Sequence, residues 1–135
     1  MEKRDYLLRQ IEALGRILSR LRELITGGAT STVHSQLQEE MRNLGLDLAT
    51  ASAVDAATLR MFLGGQALDP RRAFAVGALL HLDSLRARAD GDEARAARSA
   101  TNALALLTAA RPQLDGERAV MADQMIDELS SPAKA

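Results

Sequence analysis

Two apolar runs of helical spacing, joined by Asp90-Gly91-Asp92, constrain this chain more than any other feature. The first opens at Asp69-Pro70 and carries Phe74, Ala78, Leu82, Leu85 and Ala89 in steps of three and four. Asp accepts hydrogen bonds from the first free backbone N–H groups, and Pro is tolerated in the first helical turn because its N–H is missing anyway. Val76, Leu79 and Leu80 spread the apolar surface well beyond one stripe. A helix that is apolar on most sides has to be buried. Gly91 supplies the left-handed residue that closes such a helix, and Asp92 caps the next one. In that second run Ala96, Ala100, Ala103, Leu104 and Leu107 form the predicted inward face, with Asn102 on the exposed side. Small residues there let the two backbones come close. Arg111-Pro112 ends the run, because Pro disfavours helix in the residue before it. The prediction is a helical hairpin spanning Ala73 to Ala110.

The rest of the chain reads as helix too. Leu7, Ile11, Leu14, Leu18, Leu21 and Ile25 alternate in steps of four and three, a seam across nearly three heptads that Gly27-Gly28 stops. Two readings of this seam stand: packing inside the domain, which its short length favours, or pairing with a second copy through Leu7–Ile25. Its polar face mixes Arg4, Arg9, Arg16, Arg20 and Arg22 with Glu2, Asp5, Glu12 and Glu23, whereas a membrane-surface helix carries few acids. Val33, Leu37, Met41 and Leu44 give a second helix one stripe, closed by Gly45. The segment from Asp47 to Val54 fits no single period. Asp55 caps a short helix holding Leu59, Met61, Phe62 and Leu63, and Gly64-Gly65 closes it. Asp115-Gly116 starts a last helix with Ala119, Ala122, Ile126 and Leu129 along one side and Met121 and Met125 beside them as core filler. Residues 130–135 form a tail expected to fray.

Composition agrees. The only aromatics are Tyr6, Phe62 and Phe74, β-branched residues are scarce, and Ala, Leu, Arg and Glu abound. The expected fold is all-α: one domain over residues 1–135, a compact bundle of five or six helices with the hairpin near its centre. The absence of cysteine excludes disulfides and thiolate chemistry. A net charge of −1 gives no general nucleic-acid footprint. No run approaches the ~20 apolar residues of a membrane span, and no signal-peptide pattern opens the chain, so a cytoplasmic protein is expected.

Chemistry is sparse. His34 and His81 are the two histidines and belong to separate helices. Neither has a partner at the spacing that sets two metal ligands on one helix face, so no metal and no cofactor is expected. His81 reads as a hydrogen-bonded core histidine, and Asp83, two residues on, does not share its face. No phosphate-cradling or nucleophile-elbow motif occurs. Arg71 and Arg72 sit where the positive end of a helix dipole disfavours them, which marks a weak candidate surface for an anion or acidic partner.

The run from Asp92 to Leu104 resembles the second helix of a tetratricopeptide repeat: Ala96 and Ala103 carry its small residues seven apart, after the usual Gly-Asp turn. It departs from the pattern where Ala87 and Ala100 stand near the places of aromatics and Ser84 at the place of a glycine. One repeat is visible, where a solenoid needs about three, so the resemblance implies a tetratricopeptide-like hairpin and not an array. Taken whole, the chain is similar to a family of short bacterial all-helical proteins of unknown function. The similarity rests on Asp5-Tyr6-Leu7-Leu8-Arg9-Gln10-Ile11-Glu12, then Leu44-Gly45-Leu46, Leu68-Asp69-Pro70 with Ala73, and the Ala-rich helix from Asp92. It implies the fold and brings no activity, cofactor or site residue. The expected function is a non-catalytic protein–protein interaction or scaffold module with a protein partner. The alternative is a small-molecule-binding helical domain, sensor or enzyme, with a pocket between helices at His81. Nucleic-acid binding would require Arg71, Arg72, Arg86 and Arg88 on one exposed face.

Overall fold

A computed structural model describes the backbone of residues 2–131 and the side chains of residues 13–131. The described residues form seven α-helices and no strand: α1 Glu2–Thr26, α2 Thr30–Asn43, α3 Leu48–Ala53, α4 Ala56–Phe62, α5 Pro70–Ala89, α6 Glu93–Ala110 and α7 Gly116–Leu129. Short 3-10 turns at Gly65–Ala67 and Arg111–Gln113 link α4 to α5 and α6 to α7. The count exceeds the expected five or six. The segment without a clear period becomes α3, a six-residue helix too short to show one, started by Asp47 accepting from Thr50 N–H at 3.0 Å.

Everything is arranged around α5. It packs on α1, α2, α6 and α7, and every residue from Ala73 to Ser84 is buried. The predicted caps form: Asp69 accepts from Arg71 N–H, Asp55 from Thr58 N–H and Asp92 from Arg95 N–H. At the turn, Gly91 takes φ +82°, its N–H bonds Arg88 O, and Asp92 N–H bonds Ala87 O at 2.8 Å. This double closure ends α5 and leaves Asp92 placed to start α6.

The hairpin is tight at Gly77. A Cβ there would lie 2.9 Å from Leu107 Cγ and 3.4 Å from Ala103 O. Gly77→Ala is therefore expected to destabilise the protein by up to about 2 kcal/mol, since overpacking at ~1–3 kcal/mol outweighs the ~1 kcal/mol gained in helix propensity. Urea denaturation checks this; a stabilised variant would mean a looser hairpin.

The face that α6 turns inward differs from the predicted one. Ala96, Ala103 and Leu107 are buried as expected, but Ala100 and Leu104 are only half-buried. Ser99, Asn102 and Leu106 take their places. The cause is that α6 is packed by α3, α4 and α7 as well as by α5. Asn102, expected at the surface, is buried against α3.

In α1 the described part of the seam serves the domain itself: Leu14, Leu18 and Leu21 are buried, on the helix that packs on α2 and α5. The side chains of Leu7, Leu8 and Ile11, with the motif from Asp5 to Glu12, lie outside the described residues. So do residues 132–135 of the expected tail.

Candidate functional site

Three constellations of polar side chains are built into the helices, and each explains a residue type that hydrophobic patterning leaves unaccounted for. The first answers the placement of Arg71 and Arg72. Arg72 Nε and Nη2 donate to Leu44 O at 3.1 and 2.7 Å. An arginine disfavoured at the start of α5 thus serves the negative end of α2, satisfying a carbonyl that has no partner within its own helix. Arg71, half-exposed, lies 3.8 Å from Asp69. The two arginines are engaged with different groups.

The second constellation joins three helices. His81 of α5 is 3 % exposed. Its Nε2 lies 2.9 Å from Glu128 Oε1 on α7. Arg22 of α1 donates to the same carboxylate with both terminal nitrogens, at 2.9 and 2.6 Å. The arginine holds Glu128 below the usual carboxylate range. Burial pushes His81 below its ordinary value, and the attraction of Glu128 does not reverse this. An ionised carboxylate facing a neutral imidazole fixes the tautomer: Nε2 carries the proton and donates it. His81 Nδ1 is buried and has no hydrogen-bond partner among the described residues. His81 is thus the hydrogen-bonded core histidine its position predicts.

The third constellation is Asp83, fully buried, on another face of α5. Arg86 Nη2 donates to Oδ1 at 3.0 Å, Arg95 Nε to Oδ2 at 3.0 Å and Ser99 Oγ to Oδ2 at 2.6 Å. Burial pushes this carboxyl up; the hydrogen bonds from Arg95, Ser99 and Arg86 together outweigh it and hold Asp83 below its usual value. Arg86 also donates to Asp90 at 2.9 Å. Half-buried His34 on α2 senses this cluster: burial, then the charges of Arg86 and Arg95, lower its value. His81 forms its side-chain hydrogen bond with Glu128 and not with His34. A surface of Arg71, Arg72, Arg86 and Arg88 does not assemble, because Arg86 is buried in this network.

Sequence reasoning did not single out Arg95, Ser99 or Glu128, and it placed Asn102 on the exposed side of its helix. Only Asp83 carried a signal, as a charge inside an apolar helix, since a buried charge demands a partner. Among the described residues no three His, Asp or Glu side chains converge as a metal site.

An open hollow of about 370 Å³ lies on α1 at Ser19, Arg22, Glu23 and Thr26, and two further clefts border this architecture. One, beside His81, has a volume of about 100 Å³ and lies between α1, α5 and α7, with Arg22, Gln124 and Met125 on its walls. That is room for roughly three waters. The other, about 370 Å³, lies among Gly15, Phe74 and the first turn of α7, and shares only Met121 with the first. Elsewhere the surface exposes two large apolar neighbours on α4, Met61 at 74 % and Phe62 at 50 %. No described helix is long and apolar enough to cross a membrane. No family model, curated protein or solved structure matches the chain.

Proposed function

We propose that this chain is a non-catalytic protein–protein interaction or scaffold module, working in the cytoplasm, with its tetratricopeptide-like hairpin as a rigid frame. The observation that carries this reading is the exposure of Met61 beside Phe62. Of the two aromatics whose side chains are described, Phe62 is half outside, next to a methionine, at the end of a short helix that Gly64-Gly65 follows. Aromatic residues and methionine are enriched where proteins meet. The buried ionisable groups support the same reading from the other side. Asp83 is engaged by Arg86, Arg95 and Ser99, and His81 by Glu128. The cleft at His81, about 100 Å³, falls below the ~300–1,000 Å³ of ordinary small-molecule sites, which speaks against a pocket at His81 itself; the clefts of about 370 Å³ lie elsewhere.

The test is affinity capture from native cell extract with the wild-type chain and a Met61→Ser/Phe62→Ser variant. Both positions are exposed, so the fold should change by less than about 0.5 kcal/mol per substitution. A protein retained by the wild type and lost with the variant is the expected result. A partner held equally by both would remove α4 as the contact, and turnover of a small molecule by the purified chain would overturn the non-catalytic reading.

A further inference from the structure

His81 is the buried titratable group that the interaction reading does not use. It stands where α1, α5 and α7 meet, and the charged groups acting on it are Glu128 from α7, Arg22 from α1 and Arg88 from α5 itself. Its Nε2–H is taken by Glu128, so a second proton has to go on Nδ1. Nδ1 is buried, and no acceptor among the described residues is within reach of it. The imidazolium would then hold an unsatisfied N–H in a low-dielectric site, a costly arrangement. Two responses relieve it: water enters through the neighbouring cleft of about 100 Å³, or a helix moves away. Of α5 and α7, α7 is the less deeply held. Ala122 and Met125 are its buried residues, with Ala119, Met121, Ile126 and Leu129 partly buried against the core, whereas α5 is buried along most of its length. Sparse apolar burial is the mark of elements that open locally.

We propose that Arg22, Glu128 and His81 form an acid-sensitive latch, in which a proton added to His81 loosens α7 from α1 and α5. The sign follows from linkage. Burial disfavours the charged imidazole in the closed state, so the open state binds the proton more tightly. The latch is fully closed above the ordinary histidine value of ~6.5 and weakens as pH falls from there towards the closed-state value. Glu128, held below the usual carboxylate range by Arg22, is ionised where this window opens.

Hydrogen exchange with mass spectrometry at about pH 7.5 and about pH 5.5, corrected for intrinsic rates, reads the latch directly. In the wild type, α7 amides should lose protection several-fold relative to the α5–α6 hairpin, within the ~10-fold that one proton, bound by the open state at about 6.5, allows between these two pH values. His81→Gln keeps a side-chain donor, removes the titration and leaves His34 in place; its α7 should exchange alike at both pH values. An equal loss in His81→Gln, or no loss in the wild type, overturns the proposal. Where His81→Gln does not fold, an NMR titration of the wild-type chain decides. The His81 imidazole and the α7 amides should then share one midpoint, and α7 amides that ignore the imidazole transition overturn the latch.

Discussion

Asp83→Ala is expected to destabilise the protein by about 3–5 kcal/mol, the range seen when one partner of a buried ion pair is removed. The wild-type carboxylate is completely buried and is approached by Arg86, Arg95 and Ser99 from α5 and α6. Deleting it leaves two guanidinium groups facing each other with no charge between them. Arg86 has the harder position, since it is itself buried, its Nε has no partner among the described residues, and Asp90 alone would remain to it. Arg95 lies nearer the surface and can turn towards water. The loss should therefore depend on Arg86: Asp83→Ala combined with Arg86→Met should recover a measurable part of it, because the stranded charge is gone. Urea denaturation of the wild type and these two variants checks this, and an Asp83→Ala protein within about 1 kcal/mol of wild type would exclude the network as a buried ion pair. A pH dependence follows with a definite sign. Asp83 is held below its usual value in the folded state, so its contribution is complete above the ordinary carboxylate range and is lost as pH falls through the folded value. Asp83→Ala should thus be less acid-sensitive than the wild type.

The same residues show how far the sequence carries. Helix starts were legible because a cap is a local event: Asp55, Asp69 and Asp92 each bond an N–H two or three residues on. The hairpin turn was legible for the same reason, with Gly91 in the left-handed region. The central place of α5 followed from its having no polar side. The partners of its polar residues did not follow. Arg95 and Ser99 meet Asp83 only once α6 has folded back, and Glu128 reaches His81 from the far end of the described chain. Arg72 was recognised as misplaced for a helix start, yet its reason lies at Leu44, 28 residues earlier. In each case the residue type raised a question that only tertiary contact answers. The inward face of α6 is not legible from apolarity alone. On that helix Ser99 and Asn102 are buried because what they face is polar, a carboxylate in one case and helix-end carbonyls in the other.

Asn102 turns this into a measurable difference. As an exposed residue beside Ala103, Asn102→Leu would cost under about 0.5 kcal/mol. The structure reverses the expectation. Asn102 Nδ2 donates to Ala51 O at 2.9 Å and to Val54 O at 2.8 Å. These carbonyls belong to the last turn and cap of α3, where a helix has no partners of its own to offer. One amide group from α6 thus closes the end of α3, and both of its N–H donors are used in doing so. Leucine has a similar bulk and no donor. Each carbonyl left without one costs about 1–3 kcal/mol, less at Val54 O, which is only part-buried and can turn towards water. The expected total is about 2–4 kcal/mol. Ala103→Leu, overpacking the contact beside Gly77, is expected to cost about 1–3 kcal/mol. Asn102→Leu should therefore match or exceed Ala103→Leu in urea denaturation, with α3 amides losing hydrogen-exchange protection only in the former. Asn102→Asp should be worse still, because a carboxylate facing two carbonyl oxygens is repelled where the amide is bound. A neutral Asn102→Leu would mean that α3 is held on α6 by apolar contact alone.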